Sequence, residues 1–223
     1  MTRAWNMTLG VLLASVIVVT QAAAQWNVAR FETGQSRVYS TFGLDPAMIG
    51  SVGYARVVEL GGHNFQLNGD VGAATSGFDA NDFRVRLGTQ TSLLQWRSVH
   101  LTGSATFVTR GTDNSIYRGI NFGADLTGAL GVYRNRWFTA GEFGFDKAII
   151  THISNSDWYK DNYYPGAKDG WYLDAGGTYH YGLAGGFTMG RTEIVGRVGL
   201  LRTERFKELS TPGYVSLGVG FGF

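Results

Sequence analysis

The sequence lacks cysteine and holds only 3 prolines among 223 residues, and charged residues make up just 16 % of it. Without cysteine, the chain is not a disulfide-stapled secreted domain. The 33 glycines do not recur at every third position, which excludes collagen, and 14 Phe, 11 Tyr and 6 Trp are too many aromatic residues for a disordered chain. A charged fraction well below the usual value of about 25 % leaves too little charge for the surface of an ordinary soluble enzyme.

Long apolar runs are also missing, apart from one near the N-terminus. Arg3 precedes a nearly continuous apolar stretch from Leu9 to Thr20, and three alanines at residues 22–24 stand directly before Gln25. This order of a basic start, an apolar centre and small residues is typical of a secretory signal peptide. The stretch of 16 apolar and small residues is shorter than the about 20 that a membrane-spanning helix needs. We therefore predict that residues 1–24 are a cleaved signal peptide and that residues 25–223 form a single domain.

The predicted mature chain is almost neutral, with 18 Lys and Arg against 17 Asp and Glu. This balance gives no general attraction to nucleic acid, so we expect no nucleic-acid partner. No further helix-length apolar run follows residue 24. Because a lipid bilayer admits only helices and closed barrels, any membrane embedding of this chain has to use strands.

Alternation of apolar and polar side chains predicts strands along most of the mature sequence. Between Val99 and Phe107, for example, apolar residues alternate with His, Thr and Ser, which is typical of a strand with one dry and one wet face. Ten such segments occur, joined by tight turns such as Gly61-Gly62 that alternate with mostly longer loops such as residues 152–170. We predict an all-β fold, namely an antiparallel up-and-down transmembrane β-barrel of about 10 strands. A barrel of about 8 strands and a soluble barrel or sandwich are the alternatives.

The last strand ends in an aromatic residue and is apolar at every second position. The residues that we assign to this C-terminal signal are Tyr214, Leu217, Val219, Phe221 and Phe223. The segment resembles the C-terminal strand of bacterial outer-membrane β-barrels. The resemblance implies secretory export to the outer membrane of a Gram-negative bacterium, recognition by the barrel assembly machinery, and contact with outer-membrane lipid and lipopolysaccharide.

If the apolar faces meet lipid, the polar positions of the strands face the lumen. The residues predicted to do so are Asp70, Arg84, Arg86, His100, Asp125, Glu142, Asp146, Asp174, His180, Glu193 and Arg197. Barrels of about eight strands are filled by their own side chains, whereas open channels need about sixteen. Because both signs of charge occur on neighbouring strands, we favour a lumen plugged by ion pairs. A narrow solute channel is the alternative.

The longest predicted loop begins with the sequence His-Ile-Ser-Asn at His152. This tetrapeptide resembles the motif of outer-membrane lipid A deacylases. The resemblance implies His152 as the base, Ser154 as the nucleophile and Asp169 as the orienting acid of a hydrolase. Phe143 and Phe145 fix which side chains of this strand point outward, and extrapolating from them predicts that His152 and Ser154 point inward.

Aromatic residues dominate the rest of that loop. They are Trp158, Tyr159, Tyr163, Tyr164 and Trp171. Such residues line membrane interfaces, and they can also bind sugar or lipopolysaccharide at a surface. The sequence contains no phosphate-binding glycine loop and no zinc-ligand spacing, so we expect no cofactor and no metal. We favour a structural or surface-interaction role without catalysis, with a narrow channel and a lipid A hydrolase as the alternatives.

Overall fold

The computed structural model describes residues 25–45, 47–75 and 82–223. At residues 45, 47, 174, 175, 210 and 211 it describes only the backbone. The predicted signal peptide at residues 1–24 lies outside the described residues, as do residue 46 and residues 76–81 of the loop between the third and fourth strands.

Ten antiparallel strands close into one barrel, in which each strand pairs with its neighbours in the chain and the first strand pairs with the last. The strands are β1 (Ser36–Asp45), β2 (Ala47–Leu60), β3 (His63–Ala74), β4 (Phe83–Trp96), β5 (Val99–Asp113), β6 (Tyr117–Arg134), β7 (Trp137–Asn155), β8 (Gly170–Met189), β9 (Thr192–Thr203) and β10 (Glu208–Gly222). The predicted fold class is thereby confirmed, with ten strands and not eight.

The two ends of the barrel differ in their connections. Two-residue turns join β2 to β3, β4 to β5, β6 to β7 and β8 to β9, and we call this side the turn end. At the opposite side, the loop end, residues 156–169 form the connection from β7 to β8 and contain the helix α1 (Asp157–Asn162). In the described part of the chain, no helix has the length and apolar character needed to cross a membrane.

The longest strands extend beyond what a bilayer requires. A tilted transmembrane strand needs about 9–11 residues, whereas β7 has 19 residues and β8 has 20. The predicted start of the loop at His152 is therefore wrong, because β7 continues through His152 to Asn155. The extra strand pairing lifts the loop end away from the centre of the barrel.

Large apolar side chains cover the outside of the barrel. They are exposed on every strand, and examples are Val38, Val52, Val71, Leu87, Phe107, Leu126, Phe143, Leu183, Val198 and Leu217. Trp96 and Trp137 lie near the turn end and Trp171 and Tyr172 near the loop end, where aromatic girdles of membrane barrels meet the lipid headgroups. Because the apolar face points outward, the polar face of each strand has to fill the interior.

Residues 25–31, which precede β1, lie inside the barrel at its turn end, and we call them the plug segment. Gln25, Trp26 and Asn27 are almost completely buried, and a 3-10 helix follows at Val28–Arg30. Trp26 and Phe31 pack into an apolar cluster with inward side chains of the strands: Tyr39, Ala55, Val57, Ala129, Tyr133, Phe138, Ala140, Ala184 and Val195. The plug segment thus supplies the apolar filling of the turn half of the lumen.

Candidate functional site: the lumen and the two barrel ends

The lumen contains equal numbers of buried positive and negative side chains among the described residues. The five arginines are Arg37, Arg84, Arg86, Arg110 and Arg197, and the five carboxylates are Asp70, Asp125, Glu142, Asp146 and Glu193. Burying an isolated charge costs several kcal/mol, so charges of opposite sign are stable here only as hydrogen-bonded pairs. Ten of the eleven residues predicted to face the lumen are buried, and the side chain of the eleventh, Asp174, lies outside the described part.

The most extensively bonded pair joins β7 to β9. Arg197 donates from Nε to Glu142 Oε2 at 2.9 Å and from Nη2 to Glu142 Oε1 at 2.6 Å. Tyr214 on β10 donates its hydroxyl to the same carboxylate. A two-pronged guanidinium–carboxylate contact is among the strongest hydrogen-bonding arrangements in proteins. Together with the Tyr214 hydroxyl, this ion pair connects β7, β9 and β10 inside the lumen.

A second group of charges joins β1 to β3 and β4. Arg86 Nε donates to Asp70 Oδ1 at 2.8 Å, and Tyr39 donates its hydroxyl to Asp70 Oδ2 at 2.9 Å. On the neighbouring strand β5, Arg110 pairs with Asp146 of β7 and donates to Asn121 of β6 at 3.1 Å. These ion pairs connect β3 to β4 and β5 to β7 across the interior.

Asp125, Thr127 and His180 form a buried set that contains the three group types of a hydrolase triad. Thr127 donates its hydroxyl to Asp125 at 2.8 Å, and its oxygen lies 2.9 Å from His180 Nε2. Because the single hydroxyl proton is used on the carboxylate, the imidazole has to donate to Thr127. In a triad the hydroxyl donates to the imidazole instead. The set therefore acts as a structural bridge, and Gly144 leaves room for the His180 ring, which a Cβ would strike.

The plug segment is held by backbone and side-chain bonds. Gln90 accepts from Trp26 N and donates to Trp26 O, both at 3.0 Å, as a neighbouring strand would. Glu193 accepts from Asn27 N at 2.8 Å and pairs with Arg37 at 2.8 Å. The Arg37 guanidinium lies 4.4 Å from the centre of a Trp26 ring. Such a contact stabilises a cation whose hydration is lost on burial.

His152 and Ser154 do not point inward as predicted. The pairing of β7 with β8 shifts register between Ala148 and Ile150, and the inward series that includes Ala148 continues at Thr151. This β-bulge reverses the alternation that follows it. His152 is only partly buried, and its ring contacts the exposed Trp171 at 4.9 Å between centroids.

Asp169 does not orient His152. Its carboxylate accepts from Asn155 N at 2.8 Å and from Lys160 Nζ at 2.8 Å. Among the described residues, neither His152 nor Ser154 forms a side-chain hydrogen bond to the other or to Asp169. The structure thus brings the three candidate residues to the loop end without arranging them as a base, nucleophile and acid.

The pairing of Asp169 makes the loop end sensitive to acid. The Lys160 ammonium and the Asn155 amides lower the pKa of Asp169 from 3.8 to about 2. Because the folded state holds this carboxylate in its charged form, the pairing stabilises the loop fully above pH about 4 and is lost as the pH falls through about 2. We expect a carbon-13 NMR titration of the Asp169 carboxyl to show this midpoint. In Lys160→Gln the midpoint should move up towards 3.8, and an unchanged midpoint would contradict the assignment.

The aromatic residues of the loop end do not all lie at the surface. Trp158, Tyr163, Tyr164 and Trp171 are exposed, and the Trp158 and Tyr163 rings lie 5.1 Å apart. Tyr159 was predicted in this surface set but is buried, since it lies on the inner side of α1. Trp171 belongs to β8 and continues an outer aromatic stripe with Phe122, to which its ring is stacked at 6.4 Å.

The C-terminal signal residues divide between the two faces of β10. Leu217, Val219, Phe221 and Phe223 are exposed on the outside, whereas Tyr214 is buried and bonded to Glu142. Tyr214 therefore belongs to the lumen network and not to the outer face that carries the apolar signal.

Several lumen residues were missed in the sequence. Arg110 shares the inward parity of His100 and lies just beyond the predicted end of its strand, and Arg37 alternates with the outward Val38. Both could have been found by extending the alternation. Trp26 and Asn27 carry no such signal.

Among the described residues, no three His, Cys, Asp or Glu side chains come together as a metal site.

The sequence matches no protein-family model and no curated protein. Among solved structures, an outer membrane channel from Pseudomonas putida F1 aligns with a TM-score of 0.52 over 91 % of this chain and 100 % of that chain, at 7 % identity. Ail, the attachment invasion locus protein of Yersinia pestis, aligns with a TM-score of 0.39 over 86 % of this chain and 100 % of its own, at 14 % identity. Its complex with the heparin analogue sucrose octasulfate has the same TM-score and coverage at 15 % identity.

The first of these likenesses confirms the predicted resemblance at the level of fold. The chain shares the closed antiparallel β-barrel fold of that channel. An identity of 7 % supports a shared fold and nothing about a shared activity.

Proposed function

We propose that this protein is an outer-membrane β-barrel with a closed lumen that acts through its outer surface and its loop end. The observation that carries the proposal is that two features close the interior, namely the plug segment and the buried charged side chains. The plug segment packs into the turn half, where it leaves a cavity of about 960 Å³ on one side, and five arginines with five carboxylates occupy the rest. A barrel of ten strands is near the size at which side chains alone fill the interior. A solute path would have to break several of these buried pairs.

The proposed location is the bacterial outer membrane, reached by export and cleavage before Gln25. The apolar outer face with aromatic residues near both ends supports this location. Cleavage at this point would leave the new N-terminus at a residue that is buried in the lumen, Gln25. Assembly through the C-terminal strand is part of the same proposal and is supported by the exposed Leu217, Val219, Phe221 and Phe223.

The proposed interaction surface is the exposed aromatic group of the loop end. Trp158 and Tyr163 offer two neighbouring rings, and Lys160 and Asp161 lie on the same helix. Aromatic faces stack on sugar rings, and the outer leaflet around such a barrel presents the sugars of lipopolysaccharide. The proposed partner is therefore lipopolysaccharide, contacted from the loop end.

Binding of lipopolysaccharide tests this proposal. The purified barrel is titrated with lipopolysaccharide micelles, and the variant Trp158→Ala/Tyr163→Ala is compared with Trp96→Ala/Trp137→Ala, which removes two exposed aromatic residues at the turn end. Loss of two stacking contacts should weaken binding about tenfold or more in the first variant only. Equal binding by both variants and the unchanged protein would contradict a loop-end site.

A narrow channel is the second candidate function. It is favoured by the likeness to a solved structure that is described as an outer membrane channel. In this alternative the plug segment would have to leave the lumen, because Trp26 and its neighbours occupy the turn half. A channel would therefore open only after the plug segment moves.

A further inference from the structure

A cavity of about 960 Å³ lies at the turn end, beside the plug segment. Val28, Ala29 and Phe31 of the plug segment line one side of it. The turn between β4 and β5 and the turn between β6 and β7 line the other. A volume of this size is at the upper end of the range for small-molecule sites.

Basic side chains line this cavity without any compensating acid. Arg97, Arg134, Arg136, His63 and His100 are among the lining residues. The three arginines are exposed at the rim, and the Arg97 guanidinium lies 5.6 Å from the centre of the Trp96 ring. Of the residues that the structure describes, no Asp or Glu lines the cavity. The three arginines form no ion pair with any other part of the described chain, in contrast to Arg37, Arg86, Arg110 and Arg197 of the lumen.

Strand pairing places these arginines side by side. Val99 of β5 lies opposite Val132 of β6, and Tyr133 N donates to Ser98 O at 2.7 Å. The two turns that follow this pairing therefore present Arg97 and Arg134 at the same level of the barrel. Arg97 has a left-handed backbone conformation with a φ of 55°, because it lies in the two-residue turn between β4 and β5.

A second cavity at the same end shows that basic residues are not simply spread around the rim. It has a volume of about 240 Å³ and is lined by Arg30, Arg37 and Arg191 together with Glu32 and Glu193. In this smaller cavity the three arginines share the lining with two carboxylates of the same chain. The larger cavity differs because, among the described residues, no carboxylate lines it.

We infer that the larger cavity is a binding site for a multiply charged phosphate compound. Guanidinium groups bind phosphate through paired hydrogen bonds, and three of them around one cavity favour a ligand with several negative charges. Ser92, Asn64 and Gln95 add neutral polar side chains to the lining. They also donate to the carbonyl oxygens of Leu94, Phe31 and Arg97, respectively, which holds them in place. The phosphate groups could belong to a free polyphosphate compound or to the headgroup of an anionic phospholipid, since both present the same oxygens.

Titration calorimetry with inorganic tripolyphosphate tests this site in the whole folded barrel in neutral detergent. Binding is expected at low ionic strength, and it should weaken as salt is added. Arg97→Gln/Arg134→Gln should weaken it about tenfold or more. Arg56→Gln/Arg191→Gln removes the same charge from two exposed arginines that do not line the cavity, and it should bind like the unchanged protein. Altered gel mobility after heating checks that each variant is folded.

Competition identifies the source of the phosphate. A short-chain phosphatidylglycerol that displaces tripolyphosphate, with a loss of both ligands in Arg97→Gln/Arg134→Gln, supports the site with a lipid headgroup as its occupant. Tripolyphosphate that stays bound supports the site with a free anion. The inference is overturned if the unchanged protein does not bind tripolyphosphate, or if the two double variants lose affinity equally, because the second result would indicate only a diffuse attraction.

Discussion

Replacing Glu142 with alanine is expected to lower the free energy of unfolding by about 3–5 kcal/mol. The substitution leaves the buried Arg197 without the carboxylate that it contacts through Nε and Nη2, and it removes the acceptor of the Tyr214 hydroxyl. Losing the carboxylate of a buried ion pair is costly because water does not replace it inside the barrel. The expected measurement is a lower midpoint of urea unfolding from phospholipid vesicles.

Two further variants separate this effect from a general loss of charge. Glu204→Ala breaks an ion pair with Lys147 that is exposed to solvent, and such pairs contribute about 1 kcal/mol or less. Glu142→Leu/Arg197→Met removes both buried charges and should recover most of the stability that Glu142→Ala loses. If Glu142→Ala and Glu204→Ala lower the midpoint equally, the Glu142–Arg197 pair does not stabilise the lumen as described.

Replacing Trp26 with alanine is expected to release the plug segment without unfolding the barrel. Removing a buried tryptophan costs about 3–5 kcal/mol of packing, which here holds the plug segment against the wall. The lost contacts include the Tyr39 ring at 5.4 Å and the Arg37 guanidinium at 4.4 Å. The strands keep their own ladder of backbone hydrogen bonds, so the cost falls mainly on the plug segment.

Thiol labelling measures this release, because the chain has no cysteine of its own. A cysteine placed at the buried Val28 should react slowly in the unchanged background and about 100-fold faster or more with Trp26→Ala. A cysteine at the exposed Glu32 is the matched control and should react rapidly in both. Equal rates at position 28 in the two backgrounds would contradict the role of Trp26.

A second variant displaces the plug segment from the opposite side. At Gly220 on β10, an added Cβ would lie 2.9 Å from Trp26 Cη2 and 2.8 Å from Arg37 Cδ. Gly220→Val should therefore raise the labelling of a cysteine at Val28 as Trp26→Ala does. Gly141→Ala is the control, since a Cβ there has no heavy atom within 4 Å among the described residues.

The wall of the barrel could be predicted from the sequence because its periodicity is local. On β5, His100, Thr102 and Thr106 alternate with outward Leu101 and Phe107, so one strand suffices to define both faces. Ten segments of this kind, joined by alternating short turns and loops, permit few arrangements other than a closed meander. The charged residues of the interior follow from the same alternation.

The bulge in β7 could not be predicted, and it reversed the expected orientation of His152. Every residue from Phe138 to Ala148 follows the predicted alternation, and the register then shifts before Ile150. Ile149 and Ile150 are both apolar, so the sequence at this point fits either face. The orientation is decided by the pairing with β8, whose register the sequence does not show.

The plug segment was missed because its position depends on the whole barrel. Gln90 lies 64 residues away from Trp26, and Glu193 lies 166 residues away from Asn27. These contacts exist only after ten strands have closed around an interior that the side chains of the turn half do not fill. No pattern within residues 25–31 could have indicated them.

The measurement that most directly tests the closed lumen is the electrical conductance of the purified protein in planar lipid bilayers. The plug segment and the five buried arginine and five buried carboxylate side chains predict no stepwise conductance over hours of recording under a moderate applied voltage. The folded state of the inserted protein is checked by its altered gel mobility before and after heating. Regular conductance steps from the unchanged, folded barrel would contradict the closed lumen and would favour the channel in its place.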